Sequence, residues 1–461
     1  MMHEVFARAR QLRLRFLMLA AGLAIGAMPT HGQAPITLQQ AVELAQRQSF
    51  SARSATGTRE AARQRDRAFA ARLLPQLSLS GDLPFYDRSI IPVVQPDGNT
   101  LFRPQQLNQS SLNLQVAQKI PGLGGNLFVQ SALARLQRSG QLESRTWSST
   151  PFKIGIEQDI LRPRVQVWDN REQDLRIDVA ERNYLEARED LALQTSNAFF
   201  DLFAAQTQLA NAVNNAAVND TLYTLSKGRL EVGKIGENDL LQSELALLRS
   251  RNALASAKLE YDRALAALRL QLNLGPEIPL SIAITGEVPP VTADTAVAVA
   301  QALKNRAQMK DQELQRVQAR RQVNAARLNT GFGAKLLASV GFNQSGSDVD
   351  LVYRDLLNAQ QVKLSVQMPI VQWGARSAQI EAARADQDRV EYNRRLAREL
   401  LIQEAHFAAL QLDLLRDQLA ISAKADTVAN KRFEVAKNRY VIGRIGIDNL
   451  YIAQNEKDQA L

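Results

Sequence analysis

The chain has 461 residues, no cysteine, and 56 Lys+Arg against 47 Asp+Glu for a net charge of +9. With only His3, His31 and His406 and no thiol, it has almost nothing for Cys/His zinc sites, Ser–His–Asp or Cys–His nucleophiles, or haem and iron–sulfur ligation. The same count excludes disulfides and a lipid-bearing N-terminal cysteine.

Residues 1–32 read as a signal peptide. Arg8, Arg10, Arg13 and Arg15 form a basic start, and Phe16–Met28 is an apolar run of thirteen residues. That run is short of the roughly 20 needed to cross a bilayer as a helix. Cleavage after Gly32 would put Thr30 and Gly32 at the small-residue positions. No later stretch is apolar enough for a transmembrane helix, which leaves an exported protein or one that spans a membrane with strands.

A first repeat is expected over 33–274. Leu38–Leu74 is rich in Ala and Arg, has no proline before its end, and reads as a helix over 38–74. Strict alternation follows near 76–86, where Leu77, Leu79, Leu83 and Phe85 oppose Gln76, Ser78, Ser80 and Asp82. It recurs near 152–160, where Phe152, Ile154, Ile156 and Ile160 oppose Lys153, Gly155, Glu157 and Asp159. An extra hairpin over 112–136 has no clear counterpart later in the chain. Period-two patterning with one apolar and one polar face suits a strand between lipid and water, or the face of a soluble sandwich. Between Pro163 and Pro276 there is no proline, and glycine falls only at Gly228, Gly233, Gly236 and Gly275. Helices over 170–230 and 238–274 follow, the first near 90 Å long at about 1.5 Å per residue. Tyr184, Leu191, Ala198, Ala205 and Ala212 recur at sevens, an alanine-rich seam suited to close helix packing.

A proline-rich connector over 275–295 leads to a second repeat over 296–461. Helices are expected over 296–328, 375–440 and 447–461, and strands near 335–343 and 362–370. Arg229–Gly236 matches Arg439–Gly446 at a spacing of 210, and Phe152–Gln158 matches Val362–Met368 at the same spacing. A weaker match, Ser196–Leu202 with Glu404–Leu410, falls at 208 and implies small compensating indels. By comparison with 238–274, the last helix is some 23 residues short.

The order helix–strand–strand–helix–turn–helix, occurring twice behind a signal peptide, with Val/Ile-Gly-x-Ile-Gly turns followed by Asp/Asn-Leu, resembles the TolC-like outer-membrane efflux proteins. The resemblance covers nearly all of the chain after residue 36. It implies a mainly α fold with a β-barrel part: long periplasmic coiled-coil helices, and strands of a barrel shared by a homotrimer in outer-membrane lipid. It implies a passive exit duct, neither enzyme nor cofactor protein, in the outer membrane of a Gram-negative bacterium, most of its mass in the periplasm. The partners implied are a periplasmic adaptor (membrane fusion protein) and an inner-membrane transporter, with no nucleic acid. Four strands leave open edges in lipid. Three chains would supply twelve strands, or eighteen if the extra hairpin takes part.

In such a family the helical turns dock the adaptor and hold the gate. They correspond here to Arg229, Val232, Gly233, Lys234 and Gly236, and to Arg439, Ile442, Gly443, Arg444 and Gly446. The glycines also serve simply as turn residues, whereas a turn has no need of Lys234 or Arg444. Asp239, Asp448 and Asn449 mark a possible gate. The second turn has a single carboxylate where some members carry a pair, which puts an acidic gate in doubt. A structural or adhesive coiled-coil protein of the periplasm or surface is the rival reading; it explains the helices but not the duplicated strands. Neither H-E-x-x-H nor G-x-S-x-G occurs. Gly228–Lys234 has Ile235 where a phosphate loop needs Ser or Thr, and Asp348 and Asp350 lack the remaining ligands of a calcium loop.

Overall fold

The structure is a computed structural model that describes residues 35–120, 122–139, 143–284 and 291–460. The signal-peptide segment lies outside the described residues. The elements are α1 (Leu38–Gln48), α2 (Phe50–Ala71), β1 (Gln76–Val94), β2 (Thr100–Lys119), β3 (Asn126–Ser139), β4 (Ser144–Ile160), α3 (Val165–Glu231) and α4 (Glu237–Gln271). After the connector come α5 (Thr295–Asn305), α6 (Ala307–Asn329), β5 (Gly333–Gly346), β6 (Leu357–Gln367), α7 (Ala375–Val441) and α8 (Ile447–Ala460). No described helix is long and apolar enough to cross a membrane.

The long helices α3 and α7 have 67 residues each, about 100 Å at 1.5 Å per residue. They begin and end 210 positions apart, as do the starts of α4 and α8. The segments Ser196–Leu202 and Glu404–Leu410, matched at 208, lie inside these two helices. The expected helices 38–74 and 296–328 are each broken once, at Ser49 and at Arg306, where the backbone turns extended (ψ 156° and 132°). Ser49 caps the new helix itself, accepting from the Ala52 N–H at 3.0 Å. At Arg306 the cap comes from α3, whose Glu186 carboxylate accepts from the Ala307 N–H at 2.8 Å. That partner is distant in sequence and leaves no local signal.

The half-length helices meet beside α3. The Gln48 side chain donates to the Leu272 carbonyl (2.9 Å), and the Asn273 side chain returns a bond to the Gln48 carbonyl (3.1 Å). Around them Ala41, Ala45, Leu191, Phe199, Leu202, Leu268 and Leu272 form a buried core. Each large apolar side chain there contributes about 1.5–3 kcal/mol. The connector adds to this core through Leu280 and Ile282, and Ile36 pairs with Ile282 in a parallel bridge. The two repeats join higher up, where Arg321 of α6 bonds Asp169 and the buried Glu172 of α3, both at 2.8 Å.

All six strands form one antiparallel meander in chain order. The extra hairpin therefore belongs to the sheet, as β2 and β3, between the two strands expected in the first repeat. Those strands are also longer than read, β1 having 19 residues and β4 17. Register gives the sheet two unlike faces. Leu77, Val116, Val129, Ile154 and Val340 stand side by side across five strands. The row behind them is Ser78, Gln115, Gln130, Lys153 and Gly341. The apolar run Phe152–Ile160 covers about 26 Å at 3.3 Å per residue, close to the band of roughly 25 Å that a membrane barrel turns to lipid. Beyond that run, Trp147 lies between Arg135 and Arg145 at 5.7 and 5.6 Å, an amphipathic pairing suited to a membrane–water boundary. β1 and β6 are the unpaired edges.

Candidate docking and gating site at the helical tips

At the end opposite the sheet, α3 turns into α4 and α7 into α8 by the same device. The Gly233 N–H donates to the Leu230 carbonyl (2.9 Å) and the Lys234 N–H to the Arg229 carbonyl (2.8 Å). In the second turn Gly443 donates to Tyr440 (2.9 Å) and Arg444 to Arg439 (2.8 Å). This paired closure of a helix C-terminus requires a left-handed residue after the cap. Gly233 and Gly443 supply it with φ of +67° and +75°. Their conformation, not crowding, accounts for them, since an added Cβ would meet nothing within 4 Å. Gly236 caps the next helix with an ordinary φ of −83°, and Gly446 is equally uncrowded. The apex residues Val232 and Ile442 are 66% and 64% exposed, an unusual place for apolar side chains with no partner.

Of the tip residues, Arg229 is the one turned inward. Its guanidinium donates to the carbonyls of Val441 (2.8 Å) and Tyr440 (3.2 Å) and lies 4.9 Å over the Tyr440 ring. It thus caps the C-terminus of α7, where carbonyls lack helical partners and a cation is favoured. The Tyr440 hydroxyl bonds Ser226 at 3.1 Å, both groups buried. Leu222, Phe433, Ile447 and Leu450 pack around them. Arg229 therefore binds the two turns together and is not a free docking cation. Sequence reading missed Ser226 and Tyr440; an aromatic one residue after Arg439, where the first repeat has Leu230, was the available signal.

The two turns share a cleft of about 680 Å³. Arg229, Lys234 and Asp239 line it from the first turn, and Ile442, Gly443, Arg444 and Gly446 from the second. Arg439 is exposed at the end of α7, and Asp448 and Asn449 are exposed on the first turn of α8; none of them lines the cleft. The cleft thus holds three cations to one carboxylate, which suits an anionic visitor better than a cation. Next to the tip, burial pushes the Tyr451 phenol well above its ordinary value, with Tyr440 adding to the shift, so it stays neutral. Among the described residues no group of His, Asp and Glu could hold a metal ion.

The second repeat carries a family signature: residues 298–460 match the outer membrane efflux protein family. That match makes the second repeat similar to the outer membrane efflux proteins. The fold agrees over nearly the whole length. The outer membrane channel CmeC of Campylobacter jejuni is 17% identical with a TM-score of 0.65, covering 92% of this chain and 80% of its own. The outer membrane protein VceC of Vibrio cholerae is 15% identical with a TM-score of 0.63, over 92% of this chain and 90% of that one. The MtrE channel of Neisseria gonorrhoeae, solved in its open state, is 16% identical with a TM-score of 0.58, over 92% and 83%. The search of curated proteins gave no match. The family match over the second repeat and the channel fold over nearly the whole chain both support an exit duct in the outer membrane of a Gram-negative cell.

Proposed function

We propose that the protein works as a homotrimer, with each chain giving six strands to one eighteen-stranded barrel and its helices to one periplasmic tunnel. The observation that carries this is the six-stranded sheet, apolar on one face and polar on the other, with β1 and β6 unpaired. An open edge in lipid leaves backbone groups unsatisfied at several kcal/mol each, and further copies of the same sheet remove both edges. The rival reading of a structural coiled coil gives such a sheet no role.

In this reading the tip turns meet a periplasmic adaptor. Val232 and Ile442 offer apolar knobs, and Lys234 and Arg444 offer charges to an anionic partner surface. An inner-membrane transporter supplies the energy for export. The test is reconstitution. Purified protein in a planar bilayer should give discrete conductance steps, and co-expression with its adaptor and pump should restore efflux to a strain lacking an exit duct. Absence of both conductance and rescue, from protein that inserts in outer membranes, would contradict the proposal.

A further inference from the structure

The apolar face of the sheet changes character at the edge remote from the helices. Beyond the row of Leu77, Val116, Val129 and Ile154, register sets Ser110, Arg135, Trp147 and Gly346 side by side on the same face. The row after that is Tyr86, Asn108, Gln137 and Arg145. A one-residue irregularity in β4 between Ser149 and Phe152 is what brings Trp147 round to this face. With the helices in the periplasm, this edge lies at the outer leaflet. We propose that Arg135, Trp147 and Arg145 form a binding site for the phosphorylated sugar headgroup of an outer-leaflet glycolipid. The proposal rests on the reading above that the apolar face meets lipid.

Three observations point to a phosphate. Arg135 has one polar partner, the Gln137 side chain at 2.6 Å, and neither it nor Arg145 meets a carboxylate among the described residues. Two cations thus stand together on a face that is otherwise apolar or neutral. The Arg135 Nε and Trp147 Nε1 donors are both enclosed by protein and have no acceptor. Buried donors are paired as a rule, so the cluster is short of an acceptor and not of a further cation. A phosphate group supplies several acceptor oxygens and matches the guanidinium fork.

The surroundings point to a sugar beneath that phosphate. The Trp147 ring, flanked by guanidiniums at 5.7 and 5.6 Å, presents a flat apolar plate with polar edges. The side chains of Asn108, Gln137 and Tyr86 in the next row hydrogen-bond hydroxyl groups. On the other side the turn Leu351–Tyr353 folds onto the same face, where the Ser149 hydroxyl donates to the Val352 carbonyl. Gly346 makes room for it, since a Cβ there would lie 3.0 Å from Leu351. The exposed Leu351 and Tyr353 side chains of this turn offer acyl chains an apolar border. A glycerophospholipid would use the cations and leave the ring and the amide row idle. Further copies of the chain do not cover the site, because β3 and β4 are each two strands from the nearer open edge.

The test is native mass spectrometry of the protein extracted from outer membranes in mild detergent. Bisphosphoryl lipid A, its dephosphorylated form, or phosphatidylglycerol is titrated in. The parent should take up bisphosphoryl lipid A to about one per chain. Arg135→Ala/Arg145→Ala should need at least roughly tenfold more, as loss of charge-assisted bonds requires. The dephosphorylated form should bind the parent as weakly as bisphosphoryl lipid A binds that variant. Arg138→Ala, on the opposite face of β3, should bind like the parent. Arg145→Gln, at an exposed position, serves if the double variant fails to assemble. Equal uptake by parent and assembled variant overturns the site, and phosphatidylglycerol bound as tightly as lipid A overturns the glycolipid. A protein released from membranes by buffer alone overturns the lipid-facing sheet on which the site depends.

Discussion

The two tip turns are built alike and situated differently. Both end a 67-residue helix on a left-handed glycine, and both carry an arginine four residues before it. Arg229 is engaged with the neighbouring helix end and the Tyr440 ring, whereas Arg439 is exposed. A duplicated sequence has thus produced one finished junction and one unfinished one.

The largest effect should come from breaking what the turns share. Gly233→Val or Gly443→Val forces a β-branched residue into a positive φ, at about 1–3 kcal/mol of strain. Efflux should fall at least tenfold in either variant while barrel insertion persists; unchanged efflux with unchanged adaptor cross-linking would sink this role for the turns. Gly236→Ala and Gly446→Ala, uncrowded positions without positive φ, should be nearly silent in the same assay.

Next come variants that act on the finished junction alone. Arg229→Ala removes two charge-assisted bonds and the contact with the Tyr440 ring, about 1.5–3 kcal/mol. Closed channels should open more often in bilayer recordings. A recording identical to the parent's would show that the lock lies elsewhere. Tyr440→Phe removes only the bond to Ser226, about 1 kcal/mol, and should shift the same recording less. If Tyr440→Phe has the larger effect, the hydroxyl pair and not the arginine holds the tips together.

Legibility in the sequence followed the range of the interactions. Helix, turn and strand type were readable because proline, glycine and alternation act locally. The Gly233 and Gly443 turns were legible for that reason, as was the 210 repeat. The breaks at Ser49 and Arg306 were not, because one depends on a serine cap inside an otherwise helical run and the other on Glu186 of a distant helix. Arg229 read like Lys234, a cation at a turn, and only the packing of α3 against α7 separates the two. The place of the β2–β3 hairpin was equally hidden, since alternation gives a strand two faces but does not choose its neighbours.

The smallest expected effect concerns the joint nearer the sheet. Burial would raise the Asp178 carboxyl, but bonds from Lys310 across the repeats and from Arg182 outweigh it and hold the group below its ordinary 3.8. A depressed carboxylate adds stability above its unfolded value and loses it as pH falls through the folded one. Thermal stability should therefore decline slightly as pH drops below about 4, and Lys310→Gln should flatten that decline. A pH profile unchanged by Lys310→Gln would remove this contact from the joint.

The central claim, that six strands per chain close only with further copies, is tested most directly by the native mass of protein extracted from outer membranes in mild detergent. The account predicts a mass of three processed chains, released by detergent and by nothing milder. A monomer freed by salt or buffer alone would contradict it.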